Sequence, residues 1–185
     1  MTRRLLLPTL ALSALLAQPV RAQVDEATRP EPKKPFAAFS ASAQGLRDSV
    51  ISRARSAIGT RYVLGGNTPG RGIDCSGLVK FVMSALHLDL PRTADTQARV
   101  GEPVAKDIAA LQPGDILTFG SAKRTSHVGI YVGDGRFVHA STTRKRVIES
   151  RLDNRGSSLI KRWSGVRRLM PKVVDSLLAE RDSTP

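Results

Sequence analysis

The chain has 185 residues, 41% of them hydrophobic, and a formal net charge of +13, which is enough apolar material for one domain with a core. Aromatic residues make up only 4% of the chain and the basic residues are scattered, so the sequence lacks the stacking platform or recognition helix of a nucleic-acid binder. We therefore expect no nucleic-acid partner. The positive net charge is consistent with a location near an anionic cell-envelope surface. It is equally consistent with a simpler role of the charged residues, which is to keep the protein soluble.

Residues 1–22 have the organisation of a secretory signal peptide. Two arginines give a positive start, an apolar run follows over residues 5–16, and small residues allow cleavage after Ala22. An uncleaved membrane anchor is the alternative, but the run contains Pro8 and is shorter than the ~20 apolar residues that a span needs. Since no cysteine lies near the cleavage point, we expect no stable membrane anchor and an exported protein, either periplasmic or outside the cell at the wall.

The rest of the chain is predicted to form one domain, with a linker before it and a short tail after it. Residues 23–41 contain three prolines and mixed charges with little periodicity, which predicts a flexible linker. We expect the domain over residues 42–170 and a short tail over residues 171–185. From Ser42, apolar residues at helical spacing predict a first helix that ends near Gly59. They are Leu46, Val50, Ile51, Ala54, Ala57 and Ile58.

A second helix is predicted to begin near Asp74, after a Gly-rich loop. Asp is a favoured N-cap, and apolar residues at core-facing spacing follow it. They are Val79, Val82, Met83 and Leu86. This helix should end before Pro91.

Strands dominate the second half of the predicted domain. Short runs with alternating or β-branched character predict strands over residues 116–119, 127–132, 136–140, 147–151 and 163–169. Helices followed by consecutive strands are typical of an α+β fold with an antiparallel sheet. No internal repeat or second domain is evident.

Cys75 is the only cysteine, so no intramolecular disulfide can form and a free thiol would persist in an oxidising compartment. Directly after an Asp N-cap, its sulfur would lie among unpaired backbone N–H groups at the positive end of a helix dipole. That environment favours the thiolate. A small buried core cysteine is the alternative interpretation of a lone cysteine.

Two histidines, His127 and His139, lie on neighbouring predicted strands. In the first of these strands His127, Gly129 and Tyr131 share one face, and the aliphatic residues between them share the other. Because the aliphatic face must pack in the core, His127 should face the cysteine helix or the edge of a cleft. A third histidine, His87, has no chemical partner in sequence and fits a structural role.

The length of the hairpin loop decides whether the two histidines can meet. A three-residue loop over residues 133–135, with Val132 paired to Arg136, would bring His127 and His139 to the same face. It would also place Gly135 at positive φ. A two-residue loop would send His139 to the opposite face.

A zinc site built from Cys75, His127 and His139 is an alternative use of these residues. Structural zinc sites usually have four ligands in short-spaced pairs, and the sequence has no such cysteine pair. We therefore expect neither a metal nor another cofactor.

Six segments together resemble the NlpC/p60 family of bacterial cell-wall cysteine peptidases, in order from about Ser42 to Met170. They are Tyr-Val-Leu-Gly-Gly at 62–66, Asp-Cys-Ser-Gly-Leu-Val at 74–79, Leu-Pro-Arg-Thr at 90–93, Leu-Gln-Pro-Gly-Asp at 111–115, His-Val-Gly-Ile-Tyr at 127–131 and Phe-Val-His-Ala at 137–140. One departure is Leu64, where an aromatic residue is common, and this touches a pocket wall rather than the chemistry.

The resemblance implies a papain-like fold and hydrolysis of an amide bond in peptidoglycan stem peptides. The usual bond joins γ-D-glutamate to a diamino acid such as meso-diaminopimelate. Cys75 would be the nucleophile, His127 the general base and His139 the residue that orients His127. Tyr62, Asp74 and Ser76 would support the nucleophile or contact the stem peptide, while Arg92 matches the family without an assignable role.

Two other functions remain open from the sequence. An amidase or acyltransferase could use a related Cys-His scaffold, and a catalytically silent wall-binding protein could keep the same fold. The intact set of Cys75, His127 and His139 argues against silence. We expect the protein to act as a monomer.

Overall fold

The computed structural model describes residues 35–169, and their side chains from residue 43 onward. The predicted signal peptide, the predicted tail and most of the predicted linker lie outside these residues. The described helices are α1 (Pro35–Ser56), α2 (Cys75–Met83) and α3 (Ala94–Gln97), with 3₁₀ turns at Ser84–Leu86, Ile108–Ala110 and Ile160–Arg162. The described strands are β1 (Asn67–Thr68), β2 (Gly72–Ile73), β3 (Glu102–Val104), β4 (Ile116–Gly120), β5 (Thr125–Gly133), β6 (Arg136–Ser141), β7 (Arg146–Arg151) and β8 (Trp163–Arg168).

A six-stranded antiparallel sheet forms the centre of the domain, in the order β3-β8-β4-β5-β6-β7, and β1 and β2 form a separate small ribbon. One face of the large sheet packs against α1 and α2 through Val128, Ile130 and Val138. The other face carries a second apolar cluster that includes Phe119 and Phe137. The predicted α+β arrangement is therefore confirmed.

Helix α1 begins at Pro35 rather than at Ser42, so the end of the predicted linker is helical and that boundary is wrong. Proline was interpreted as a linker signal, but it is well tolerated in the first turn of a helix because its missing N–H needs no partner there. The helix ends at Ser56, and Gly59 has a φ of +90° just beyond it. Ile58 therefore lies beyond the end of α1, is not part of the apolar face of the helix and is 45% exposed.

Helix α2 begins at Cys75 with Asp74 as its N-cap, as predicted. The predicted core-facing residues Val79, Val82 and Met83 are fully buried. Each such side chain contributes about 1.5–3 kcal/mol of transfer free energy. Because α2 packs against β5, this burial fixes the N-terminus of the helix beside the sheet.

The sequence predictions missed the shortest elements. Strands β1 and β2 have two residues each, β3 has three, and α3 has four. Elements of this length contain too few residues to show a helical or strand period. The five longer strands, β4 to β8, all lie where they were predicted, within one or two residues at their ends.

The β5–β6 hairpin differs from the prediction in its loop. Gly133 pairs with Arg136, so the loop has two residues, Asp134 and Gly135, both at positive φ (+52° and +67°). The three-residue loop with Val132 opposite Arg136 is wrong, although the positive φ of Gly135 is confirmed. Two successive left-handed residues match the twist of the flanking strands.

A β-bulge in β5 replaces the longer loop. The register shifts between the Tyr131–Phe137 pair and the turn, which leaves Val132 as the extra residue of β5. This extra residue restores the alternation that a two-residue loop alone would have reversed. His127 and His139 therefore lie on the same face of the sheet, with facing ring nitrogens 2.9 Å apart.

We expect Gly135→Val to lower the free energy of unfolding by about 1–3 kcal/mol and to reduce activity, because a β-branched residue is strained at positive φ. A Cβ at this position would meet nothing within 4 Å, so the loss would come from the backbone alone. Urea unfolding and an activity assay would measure both effects. Gly70→Val is a matched control, since Gly70 also has open space but no positive φ. Equal losses in the two variants would contradict the prediction.

Candidate active site

The thiol of Cys75 lies at the start of α2 and is buried against β5. The residue is 8% exposed, and the N–H groups of Val128, Ser76 and Cys75 itself form hydrogen bonds that favour the ionised sulfur. The N–H of Val128 belongs to the peptide that joins it to His127. The cysteine and the predicted base are therefore brought together through the backbone of β5.

Burial raises the pKa of the Cys75 thiol, and the nearby Asp74 carboxylate adds to this effect. The backbone N–H groups lower the pKa but do not outweigh the loss of solvation. The N–H groups of the helix start favour the thiolate, as predicted, but burial outweighs them, so the thiol is neutral in the resting protein. Attack by this sulfur needs a neighbouring base to remove its proton.

Two histidines and a serine form a hydrogen-bonded chain across β5, β6 and β7. His127 Nε2 lies 2.9 Å from His139 Nδ1, and His139 Nε2 lies 3.0 Å from the hydroxyl oxygen of Ser150. The His139 ring stacks on Phe137 with a centroid separation of 4.9 Å. The face of the sheet that carries these rings is the one opposite α2, so His127 does not face the cysteine helix and instead lines a groove on the other face.

Burial also keeps both imidazoles neutral. It lowers the pKa of His127 to about 4, and the positive charge of Arg162 contributes while Asp74 opposes it. Burial and the neighbouring His127 lower the pKa of His139 to about 3. At neutral pH the resting site therefore contains a neutral imidazole beside a neutral thiol.

We expect His139→Gln to reduce the loss of stability on acidification. Each imidazole is neutral in the folded protein at pH 5 but protonated near pH 6.5 when unfolded, so the unfolded state binds more protons below that pH. Each histidine should therefore remove about 2 kcal/mol of unfolding free energy between pH 7 and pH 5. This loss continues until the pH reaches the folded pKa.

Urea unfolding at pH 7 and pH 5 measures the difference directly. The wild type should lose about 2 kcal/mol more than His139→Gln, because the variant lacks one of the two buried groups. His87→Gln, at an exposed histidine outside the site, should keep the wild-type loss. A wild-type loss retained in His139→Gln would show that His139 is not the buried neutral group.

The Asp74 side chain forms hydrogen bonds both with the loop before α2 and with the first turn of α2. Its carboxylate accepts hydrogen bonds at 2.8 Å from the N–H of Gly77 and from the N–H of Gly65, and at 3.3 Å from the Ser76 hydroxyl. Burial alone would raise the pKa of Asp74, but these N–H groups and the Arg92 guanidinium hold it below its usual value. The carboxylate is therefore ionised and fully occupied by its own chain.

The structure gives Arg92 a role that the sequence did not reveal. Its guanidinium donates to both Asp74 oxygens at 3.0 and 2.8 Å, to the Ser76 hydroxyl at 2.9 Å and to the Gly66 carbonyl at 3.2 Å. Such a forked contact fixes a carboxylate more firmly than a point charge can. Arg92 thus positions the residues on both sides of Cys75.

Tyr62 lies within electrostatic reach of the same group. Burial raises the pKa of its hydroxyl, and the Cys75 and Asp74 side chains add to the rise. The strand-like bridge between Tyr62 and Ile73 attaches the tyrosine to the segment that leads into α2. The predicted supporting residues are therefore near Cys75: Asp74 and Ser76 flank it in the chain, and Tyr62 lies within electrostatic reach of it.

Gly77 and Gly129 make room for this arrangement. A Cβ on Gly77 would lie 2.2 Å from the Gly66 carbonyl oxygen, so only glycine allows the loop to pack on the first turn of α2. A Cβ on Gly129 would lie 3.0 Å from the Phe137 ring and 3.2 Å from the Cβ of His139. The predicted position of Gly129 opposite His139 is confirmed.

The geometry of the histidines does not suit the alternative zinc site. The facing nitrogens of His127 and His139 are hydrogen-bonded to each other, so they do not direct two lone pairs at a common metal ion. Within residues 35–169, no three His, Cys, Asp or Glu side chains are arranged to hold a metal.

Sequence reasoning missed Ser150 and could not place Arg92. Ser150 belongs to no short motif, and only the pairing of β7 with β6 brings it to His139. Arg92 was visible as a residue that matched a family segment, but its partner Asp74 lies 18 positions earlier in the chain. A position in a sequence motif cannot predict which atoms an arginine contacts.

The chain is similar to proteins of a known family. The sequence model of the NlpC/P60 family matches residues 59–168. Over 122 residues the chain is 43% identical to the Gamma-DL-glutamyl hydrolase of Bacillus subtilis, a match that covers 64% of this chain and 28% of the relative. Over 113 residues it is 44% identical to the Probable endopeptidase NlpC of Escherichia coli, covering 60% of this chain and 68% of the relative.

Solved structures give the same result. The peptidoglycan hydrolase RipB from Mycobacterium tuberculosis aligns with a TM-score of 0.57 and 28% identity, covering 73% of this chain and 71% of that one. An NlpC/P60 family protein from Bacillus cereus aligns with a TM-score of 0.61 and 28% identity, covering 68% of this chain and 40% of that one. These neighbours confirm the predicted papain-like α+β fold. The chain belongs to the NlpC/P60 family, a family of cysteine-type peptidases.

Proposed function

We propose that the protein is an exported peptidoglycan endopeptidase. It hydrolyses an amide bond in cell-wall stem peptides, between γ-D-glutamate and a diamino acid, with Cys75 as nucleophile, His127 as general base and His139 as orienting residue. The observation that carries the proposal is the hydrogen-bonded chain from His127 through His139 to Ser150, which begins at the residue next to Val128, whose N–H lies at the buried thiol.

The hydrogen-bond chain supports one tautomer of His127 in this mechanism. If Ser150 accepts the Nε2 proton of His139, then His139 Nδ1 is an acceptor and takes the Nε2 proton of His127. His127 Nδ1 then carries a lone pair and can accept the proton of the Cys75 thiol. The low pKa of His139 keeps that residue neutral, so it remains an acceptor while His127 becomes positively charged.

In the acylation step the thiol and the imidazole act together. His127 removes the proton from Cys75 as the sulfur attacks the amide carbonyl carbon, which forms a tetrahedral oxyanion. The backbone N–H of Cys75 at the start of α2 would donate to that oxygen. Protonated His127 then gives its proton to the leaving amine, the C–N bond breaks and a thioester remains on Cys75.

In the deacylation step water replaces the amine. His127, neutral again, removes a proton from water as the oxygen attacks the thioester carbonyl carbon. The C–S bond breaks, the acid product leaves and the thiol is restored by the proton on His127. Besides the substrate, the steps use one water molecule and this chain's own residues.

Tyr62, Asp74 and Ser76 would line the acyl side of the cleft. They lie near Cys75, and the Arg92 contact holds Asp74 and Ser76 in place. The hydroxyl groups of Tyr62 and Ser76 are suited to the stem-peptide atoms before the scissile bond, while the occupied carboxylate of Asp74 fixes the loop beside them. This assignment follows the family resemblance and the grouping of these side chains.

Relatives of known name support the choice of substrate. RipB is described as a peptidoglycan hydrolase and the Bacillus subtilis relative as a Gamma-DL-glutamyl hydrolase. Escherichia coli MepS, 42% identical over 93 residues that cover 50% of this chain and 48% of the relative, is named a murein DD-endopeptidase and LD-carboxypeptidase. Two of these names refer to peptidoglycan or murein, and the third refers to a glutamyl bond.

Mass spectrometry of the products identifies the bond. The purified protein is incubated with muropeptides that contain a γ-D-glutamyl-diaminopimelyl bond. A new free amine on the diamino acid supports the proposal, whereas a cut between the sugar and the peptide would indicate an amidase. An acyl group transferred to an added amine would indicate an acyltransferase, and unchanged muropeptides would favour a silent wall-binding protein.

The proposal also includes export of the protein to the cell envelope. The predicted signal peptide over residues 1–22 and the net charge of +13 support an exported protein near an anionic surface. Among the residues that the structure describes, none of the helices is both long and apolar enough to span a bilayer. Cell fractionation with N-terminal sequencing of the mature protein tests this part, and cleavage after Ala22 is the expected result.

A further inference from the structure

A groove of about 920 Å³ runs beside the two histidines on the face of the sheet opposite α2. His127 and His139 are among its lining residues, and the segment before β8 contributes Ile160 and Arg162. Seven of the other sixteen lining residues have short, hydroxylated side chains. They include Ser126, Ser141, Thr142, Thr143, Ser157 and Ser158.

The groove is positively charged. Four arginines line it, with Glu149 as the acidic residue among the lining side chains. Arg136 is paired with Glu149, and Arg151 is paired with an aspartate outside the lining. Among the residues that the structure describes, Arg144 and Arg162 have no carboxylate partner, so they leave two guanidinium groups available to an anion.

Arg162 is the one of these two that lies beside the reacting groups. Its Nη2 donates to the Ser126 hydroxyl at 2.7 Å, and Ser126 immediately precedes His127. Its charge lowers the pKa of His127, which places the guanidinium within electrostatic reach of the imidazole. A guanidinium has five N–H donors, so the remaining ones can take a planar carboxylate while Ser126 holds the group in position.

The mechanism determines which half of the substrate enters this groove. His127 gives its proton to the leaving amine, so the amine-side residue must lie within hydrogen-bond reach of His127. In the proposed function the acyl side lies toward Tyr62, Asp74 and Ser76. The peptide therefore continues past His127 toward Arg162.

We propose that Arg162 is a specificity-determining residue that binds a carboxylate on the amine-side half of the stem peptide. The inference rests on the proposed function and adds the chemistry that the leaving group must carry. That carboxylate could belong to the side chain of the diamino acid or to the C-terminus of the peptide. Both present the same planar anion to the guanidinium.

A carboxylate at Arg162 would also act on the base. Its negative charge offsets the positive charge that disfavours protonated His127, so the correct substrate strengthens the base that removes the thiol proton. If the substrate carried a neutral amide in place of this carboxylate, the positive charge of Arg162 would not be compensated. The preference should therefore appear in kcat as well as in KM.

The test compares three synthetic tetrapeptides that contain the γ-D-glutamyl-diaminopimelyl bond: one with both amine-side carboxylates free, one amidated on the diamino-acid side chain and one amidated at the C-terminus. We expect the wild type to cleave one of the amidated peptides about tenfold less efficiently in kcat/KM, and that peptide identifies the carboxylate. Arg162→Gln should reduce this ratio to near one, and Arg162→Lys should restore part of it.

The matched control is Arg155→Gln, at an exposed arginine of the same surface that does not line the groove. It should keep the wild-type ratio. If Arg162→Gln keeps the tenfold ratio, or if the wild type cleaves all three peptides equally, the inference is wrong while the proposed function stands.

A binding measurement separates the inference from the proposed function. The product dipeptide diaminopimelyl-D-alanine is titrated into the wild type and into Arg162→Gln, and chemical-shift changes give the dissociation constants. A roughly tenfold weaker constant in the variant supports the inference even if the wild type cleaves none of the peptides, which would overturn the proposed function alone. Equal constants in the two proteins overturn the inference.

Discussion

Cys75→Ala should abolish hydrolysis of muropeptides, with a loss in kcat of about 10⁴-fold or more, because the variant has no atom that can form the thioester. The fold should survive. The side chain is small and 8% exposed, so its removal should cost about 1 kcal/mol of unfolding free energy. Product release measured by mass spectrometry, together with thermal unfolding, distinguishes a chemical loss from a structural one.

Two further variants sharpen this test. Cys75→Ser keeps a small polar side chain but replaces the thiol by a far weaker acid, so it should be as inactive as Cys75→Ala. Ser49→Ala, at an exposed position of α1, should keep the wild-type rate. Full activity in Cys75→Ala on purified peptidoglycan would remove the thiol from the mechanism and with it the peptidase proposal.

The sequence could predict the start of α2 because every signal there is local. An N-cap aspartate, a cysteine and an apolar stripe lie within one stretch of chain, and their physical roles depend on neighbours three or four residues away. The structure confirms Asp74 as the cap, and Val79 and Val82 in the core. The same reasoning located the five long strands.

The register of the β5–β6 hairpin could not be predicted from local sequence signals alone. Asp134 and Gly135 are typical of a two-residue turn, and that turn alone would have placed His139 on the wrong face. The bulge at Val132 corrects the register, but a bulge depends on how two strands pair and leaves no separate mark in the sequence. The prediction reached the correct face for the histidines through an incorrect loop.

The electrostatics of the site are also a property of the folded chain. A helix start stabilises a thiolate, and the sequence shows the helix start. The sequence does not show how much of the thiol is covered by β5 once the helix packs on the sheet. That coverage raises the pKa of Cys75 and lowers the pKa of His127 to about 4.

The neutral resting pair makes the general base indispensable. His127→Ala should reduce kcat by about 10³-fold or more, because a thiol with a raised pKa then keeps its proton at neutral pH. His139→Gln should lose less, about 10- to 100-fold, since the glutamine oxygen can still accept the Nε2 proton of His127. Steady-state kinetics on a muropeptide at pH 7 would measure both losses.

The order of these losses is what the hydrogen-bond chain predicts. His127 carries the proton between the sulfur and the leaving amine, whereas His139 only selects its tautomer and stabilises its charge. Raising the pH should partly rescue His127→Ala, because a larger fraction of Cys75 then ionises without help, and it should not rescue Cys75→Ala. His87→Ala, at an exposed histidine, should keep the wild-type rate. Negligible losses in both His127→Ala and His139→Gln would mean that the thiol is activated by another group, and the mechanism would have to be rebuilt around it.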